Sequence, residues 1–295
     1  MTIKVAVVAN CQARPLARIL PLLNSDIEIT NTAIVHLLKN EQEAEFSQIL
    51  QNSDIIIAQQ VADNYPCEFV RQNQLRDQYG DKVVSIINLY YSGYTPDLRY
   101  LRIPGLGTLR GPLGDYHNQT IFQSWREGLS PEKVIARVQS IEYNREKYQA
   151  ISGASLAKLR KREQTASVDI VDYIESKLSD KRLFFSFNHP SMLLLEKMMR
   201  SMLVQLGVSI TTSLPSLSLG EALDQFIPPV NCFSKEQLNI NFECSGIFRG
   251  VEFDCTADGQ VSTGGRLDYS LHSVVHAYYD IYEKNRALIE EKDIK

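Results

Sequence analysis

The residues best suited to chemistry in this chain stand where apolar runs stop. Val5-Ala6-Val7-Val8-Ala9 is a short, largely β-branched run that ends at Asn10-Cys11-Gln12. Leu16, Ile19, Leu20 and Leu23 then recur at three- and four-residue steps, the period of a helix. Pro15 falls in the first turn of that helix, where its missing N–H costs nothing. Cys11 is thereby expected between the carboxyl end of a strand and the amino end of a helix. In open α/β sheets that crevice binds ligands. Helix N–H groups and the helix dipole there favour a thiolate, lowering its pKa and making it a nucleophile. The competing reading is a cysteine packed as a small hydrophobe. Asn10 either braces the turn or donates to an oxyanion, and Gln12 offers an N–H at the helix start.

A second strand-like run, Leu183-Phe184-Phe185-Ser186-Phe187, ends at Asn188-His189-Pro190 before another helical pattern. His189 is therefore a candidate base, brought to Cys11 by the fold rather than by sequence proximity. Ser186 or Asn188 is placed to orient its ring. His117, in Asp115-Tyr116-His117-Asn118, is the rival base, with Asp115 as its orienting partner; the same group also reads as a helix cap. His272 and His276 lie one helical turn apart, but with no HExxH and no clear carboxylate partner they read as a helix surface, and no metal is expected. Asn88-Leu89-Tyr90-Tyr91-Ser92-Gly93-Tyr94-Thr95-Pro96-Asp97 gathers hydroxyls and an acid after a strand, which suggests a sugar- or nucleotide-facing wall as well as plain packing. The basic run Lys158-Leu159-Arg160-Lys161-Arg162 is either a solvated helix face or a grip on the phosphates of an anionic ligand. No GxGxxG follows the first strand and no GK[ST] follows the glycines near 105–114, so neither a dinucleotide fingerprint nor a P-loop is supported.

These groups need a scaffold. Four apolar runs, at 3–8, 27–35, 55–59 and 83–89, alternate with helical patterns that include 41–52 and 67–80. Such alternation predicts an α/β fold, a parallel sheet flanked by helices. The run at 183–187 is expected as a fifth strand, followed by a helix at 192–206. Residues 119–180 read as a helical insertion, so that 1–208 form a catalytic core. A mixed C-terminal extension at 209–295 packs on that core, with a hairpin turning at Asp258-Gly259 and a final helix at 270–289.

Composition bounds the function. The chain has 295 residues, 44% hydrophobic and 22% charged, as in an ordinary globular protein. A net charge of −4 argues against a dedicated nucleic-acid binder. No secretory signal opens the sequence, and its greasiest region, 183–208, is interrupted by charges, so no membrane span is expected. Five scattered cysteines without a CxxC suit reduced thiols in a cytoplasmic protein.

Taken together, Val8-Ala9-Asn10-Cys11-Gln12, Tyr91-Ser92-Gly93-Tyr94-Thr95-Pro96-Asp97, Tyr116-His117 and Phe187-Asn188-His189-Pro190 resemble the WcbI family of polysaccharide biosynthesis proteins, over roughly residues 3–205. The resemblance implies a fold related to SGNH hydrolases, binding of coenzyme A, and an acetyltransferase role in making surface polysaccharide such as capsule. In that frame Ala9-Asn10-Cys11 stands where SGNH enzymes have Gly-Asp-Ser. Ser186 stands three residues before His189, where those enzymes carry Asp. The implied reaction moves an acetyl group from acetyl-CoA to a hydroxyl of a sugar or glycan acceptor. Cys11 either takes the acyl group or lines the thiol end of CoA, and His189 or His117 is the base. Asn10, Gln12 and Asn88 are oxyanion donors, with Ser92, Tyr94, Asp97, Tyr116 and Asn188 toward substrate. Arg14, Arg110, Lys158, Arg160, Lys161 and Arg162 are candidates for the CoA phosphates. A thiol esterase acting on acylated glycans and a non-catalytic CoA- or sugar-binding protein are the alternatives.

Overall fold

The computed structural model describes residues 2–105, 107–213, 216–256 and 260–292. Two compact units emerge, each assembled from three separate stretches: 1–90, 156–177 and 189–223 in the first, and 91–155, 178–188 and 224–295 in the second. The cut expected at 208 is thus not the one observed. Residues 209–223 stay with the first unit because polar groups fasten them there. Thr211 N–H donates to the Leu23 carbonyl at 2.9 Å, Leu217 N–H to the buried Glu196 carboxylate at 2.9 Å, and Glu221 accepts from Met192 N–H at 2.7 Å.

The first unit is built on a four-stranded parallel sheet of β1 (Ile3–Ala9), β2 (Ile27–Ile34), β3 (Ile55–Gln59) and β4 (Val83–Ile86), in the spatial order β2-β1-β3-β4. A central strand of a parallel sheet is covered on both faces, so it reads as one continuous apolar run; Val5 to Ala9 are all buried. Helix α1 (Ala13–Leu23) turns Leu16, Ile19, Leu20 and Leu23 inward and packs on β2 and on the helix Met192–Gln205. On the opposite face Ala6, Val8 and Ile56 meet Phe46 and Leu50 of α2 (Glu43–Gln51) and Leu75 and Tyr79 of α3 (Gln72–Tyr79).

Three local expectations fail for identifiable reasons. Helix α3 starts five residues later than the 67–80 pattern, because Arg71 is extended (φ −64°, ψ 141°) and a single tight turn at Glu68–Val70 precedes it. Gly80, at φ +54°, ends it as expected. The final helix breaks at Asn285 into Leu271–Lys284 and Arg286–Glu291. Phe184–Ser186 is extended but is no fifth member of the parallel sheet; Phe187 instead accepts the Tyr91 N–H at 2.7 Å within the second unit.

The second unit is mixed. Leu98–Tyr100 pairs antiparallel with Tyr116–Asn118, and Phe248–Cys255 with Val261–Tyr269 as the expected hairpin. The expected turn at Asp258-Gly259 lies outside the described residues, as does Leu106. Helix Leu271–Lys284 packs on Gln119–Arg126 and Pro131–Gln139. Gly93 is required by space, since a Cβ there would overlap the Tyr91 hydroxyl, itself held 2.8 Å from Ser152 Oγ. Gly153, inside the helix Ile151–Glu163, faces open space. Replacing Gly93 by Ala is expected to destabilise by about 1–3 kcal/mol. Gly153→Ala is expected to stabilise by about 1 kcal/mol through helix propensity alone. Urea unfolding of both variants checks the pair; equal effects would contradict this packing.

Candidate active site

The first unit carries a polar crevice at the carboxyl edge of its sheet. After β1 the chain turns through Asn10, Cys11 and Gln12 into α1, closed by Ala13 N–H to the Asn10 carbonyl at 3.0 Å. Asn10 Oδ1 accepts from the Gln12 N–H at 2.9 Å and from the Cys11 thiol at 3.7 Å, so the asparagine braces the turn. Its own N–H donates to Gln59 Oε1 at 3.0 Å, and Gln59 Nε2 donates to Gln12 Oε1 at 3.1 Å. Gln12 Nε2 in turn donates to the Leu89 carbonyl at 3.3 Å, and Asn10 Nδ2 to Asn88 Oδ1 at 3.4 Å. Four side-chain amides thus lace together the ends of β1, β3 and β4.

The order β2-β1-β3-β4 reverses direction between β1 and β3, and ligands of open α/β sheets bind outside the strand ends at such a reversal. A cavity of about 530 Å³ opens there, lined by Asn10, His36, Gln59, Gln60, Asn88 and Arg162 among others. Arg162 Nη1 donates to the Asn88 carbonyl at 3.2 Å, and Gln60 Nε2 to the Arg162 carbonyl at 3.1 Å. Burial lowers the Arg162 pKa, an effect that the nearby Tyr90 opposes. An arginine is always charged in proteins, so Arg162 brings a half-desolvated cation to the cavity wall.

Cys11 is half-buried in this turn. Its thiol pKa is pushed up to about 11 by burial, against the lowering effect of the Cys11 and Gln12 N–H groups. Desolvation therefore outweighs the helix start, opposite to the sequence expectation, and the thiol is protonated at neutral pH. His189 belongs to the same unit and is half-buried; burial pulls its pKa down to about 4, so its imidazole is neutral at pH 7.

The other expected site residues fare unevenly. Gln12 is fully buried, with its N–H held by Asn10 and its amide shared between Gln59 and Leu89, so it serves as a brace and not as an oxyanion donor. His117 has no exposed surface. Its Nδ1 lies 2.9 Å from the Tyr282 hydroxyl and its Nε2 2.9 Å from the Leu109 carbonyl, while burial lowers its pKa to about 4. Both ring nitrogens are spent, so His117 is structural, and Asp115 pairs with Arg110 at 3.6 Å instead.

Within the tyrosine-rich segment, Asn88 lines the cavity at the sheet edge, whereas Tyr91 and Tyr94 are buried in the second unit. Tyr94 is buried and donates to the Leu178 carbonyl at 2.6 Å, and Ser92 N–H donates to Ser155 Oγ. The Tyr116 hydroxyl donates to Asn188 Oδ1 at 2.7 Å and accepts from Ser186. Asp97 accepts from Asn118 at 2.7 Å. Of the basic residues, Arg162 lines the cavity, Lys158 and Lys161 are exposed, and Arg160 pairs with Asp172 and Glu175. Arg14 lines a separate recess beside β2. Gln59, Gln60 and His36 were missed by the sequence reading, although Gln59-Gln60 closes an apolar strand just as Asn10-Cys11-Gln12 does.

His272 and His276 lie with ring centroids 4.4 Å apart and planes tilted by 43°, and among the described residues no group of three or more His, Cys, Asp or Glu is placed to hold a metal ion. No helix among them is long and apolar enough to cross a membrane.

Fold and site together define an α/β protein with a polar crevice at the switch point of a parallel sheet. The family model of the polysaccharide biosynthesis enzyme WcbI matches residues 4–211, and the chain belongs to that family. A solved WcbI structure aligns over 99% of this chain and 94% of its own, with a TM-score of 0.74 at 17% identity, and so shares the fold. That structure is described as the native protein without a disulfide bond between coenzyme A and one of its cysteines. A zinc-bound AdcA from Streptococcus pneumoniae covers 63% of this chain and 35% of its own at 13% identity; its TM-score of 0.18 carries no argument. No curated protein matches the chain.

A thiol with a pKa near 11 instead of the ordinary 9.0 holds about a hundredth of the usual thiolate at neutral pH. Alkylation of Cys11 by iodoacetamide, followed by peptide mass spectrometry, should rise about tenfold per pH unit from pH 7 to 10. A plateau below pH 8 would contradict the burial argument.

Proposed function

We propose that this member of the WcbI family is a CoA-dependent acyltransferase, moving an acetyl group to a sugar hydroxyl in surface polysaccharide biosynthesis in the cytoplasm. The observation that carries the reading is the cavity at the β1–β3 switch point, with Arg162 on its wall and Asn10, the neighbour of Cys11, on its rim. Arg162 offers a guanidinium to a phosphate of CoA. The turn that holds Cys11 suits the thiol end; the solved relative is described as the native protein without a disulfide bond between coenzyme A and one of its cysteines, and a cysteine in this turn fits such a neighbour.

The raised thiol pKa favours Cys11 as a lining group over Cys11 as the acylated nucleophile. In the direct route the acceptor oxygen attacks the thioester carbonyl, and a neutral His189 takes the hydroxyl proton. The C–S bond then breaks, and the departing CoA thiolate recovers that proton. Asn88, on the cavity wall, is the remaining oxyanion candidate from the sequence.

Two observations keep alternatives open to test. The parallel order β2-β1-β3-β4, with Cys11 after the first strand, is compatible with an SGNH-type thiol esterase on acylated glycans. The protonated thiol equally suits a protein that binds CoA or a sugar without turnover.

Calorimetry with CoA, acetyl-CoA and ATP tests the proposal. CoA species are expected to bind saturably and well above ATP, and Arg162→Gln to weaken that binding by about tenfold or more, the scale of one charge-assisted contact. Cys11→Ser should retain binding and acetyl transfer. Loss of transfer in that variant with binding intact would restore the covalent route, and absence of CoA binding in the unsubstituted protein would overturn the transferase reading.

A further inference from the structure

The second unit ends one of its sheets at an open edge. Strand Val261–Tyr269 pairs antiparallel with Phe248–Cys255 and, among the described residues, with no other strand. Ser262 to Asp268 are all exposed, and within that run Leu267 is an apolar side chain left 41% exposed. An edge of this kind is a template for a further strand.

The direction of its free backbone groups follows from the strand beside it. Arg249 exchanges both main-chain bonds with Ile227 at 2.9 Å, and Val251 N–H donates to the Pro112 carbonyl at 2.9 Å. Arg249 and Val251 therefore turn these groups away from the hairpin. The ladder bonds fall to the alternate residues, Phe248 and Gly250, with Tyr269 and Leu267 opposite them. Arg266 and Asp268, opposite Val251 and Arg249, consequently present N–H and C=O to the open edge.

Two features limit the usable edge. The register shifts beside Glu252, which faces Gly264 and Gly265 together, and such a bulge bends the strand. Beyond Tyr269 the chain enters the helix Leu271–Lys284. The straight edge is thus Arg266-Leu267-Asp268.

That segment is complementary to itself. When two copies pair antiparallel about a two-fold axis through Leu267, Arg266 of each copy stands opposite Asp268 of the other. Their outward N–H and C=O groups then meet as hydrogen-bonded pairs, and the two leucines meet at the closer, non-bonded position. An axis through Arg266 or Asp268 sets like charges directly opposite, which destabilises. An axis between residues sets an outward-facing residue against an inward-facing one. Among the described residues neither Arg266 nor Asp268 has an ion-pair partner in its own chain, so both charges are available.

We propose that a second copy of this chain docks on Arg266-Leu267-Asp268, joining two hairpins into a four-stranded antiparallel sheet. The contact is isologous and closes at two copies. It is small, and the association constant it supports is weak, with a Kd of about 10 µM to 1 mM.

Sedimentation equilibrium of the full chain tests this, with Arg266→Asp and Asp268→Arg as variants. The wild type is expected to reach a dimer and nothing larger. Either variant alone sets like charges opposite each other on both sides of the axis, and should weaken dimerisation by about tenfold or more. Mixed one to one, the two variants set acid against base again, and the mixture should recover wild-type association as a heterodimer. Amide exchange at Arg266 and Asp268 should slow as the wild-type concentration rises, a readout that needs no variant. A wild type that stays monomeric up to about 1 mM, dimerisation that neither variant weakens, no recovery in the mixture, or growth beyond the dimer would overturn the proposal.

Discussion

A parallel sheet gathers the carboxyl ends of its strands at one edge, and the polar groups there must find partners or water. In this chain the partners are side-chain amides. Gln59 joins the turn after β1 to the end of β3, Gln12 reaches Leu89 beyond β4, and Asn10 reaches Asn88. The lacing closes the floor of the crevice, and the open side is left to Arg162 and Gln60. Asn10 and Gln12 are both part of this framework, Gln12 through its N–H and its whole side-chain amide. The crevice is laced by amides where it meets the sheet and carries the Arg162 guanidinium on its wall.

The same packing decides the state of the cysteine. A helix start lowers a thiol pKa only where the surroundings leave the thiolate solvated or paired. Cys11 has the helix N–H groups but is desolvated, and desolvation is the larger effect. A thiol held in that state is protected from adventitious oxidation and alkylation, since the thiolate is the reactive form.

What could be read from the residues alone follows how local each signal is. β1 and α1 were legible because a continuous apolar run gives way to a period of 3.6 within twenty residues, and the site turn lies at that change. The run at 183–187 has the same local grammar, yet Phe184–Ser186 lies outside the four-stranded sheet, because membership of a sheet is settled by distant partners. His117 shows the same limit: its neighbours are Leu109 and the far-off Tyr282, and only the fold reveals that both nitrogens are used. The tyrosines of 90–94 announced polar tips, but Tyr94 spends its hydroxyl on the carbonyls of Leu178 and Lys181. Gln59 and Gln60 were within reach of the rule that found Asn10, since they too close a buried strand.

The central claim is that the ligand of this protein sits at the carboxyl edge of the first unit, between the turn after β1 and Arg162. Hydrogen–deuterium exchange with and without CoA measures this directly. The account predicts added protection in the backbone of residues 10–13, 59–62, 88–90 and 160–163, with the core of β1 unchanged. Protection confined to the second unit, with those four segments exchanging as before, would contradict it.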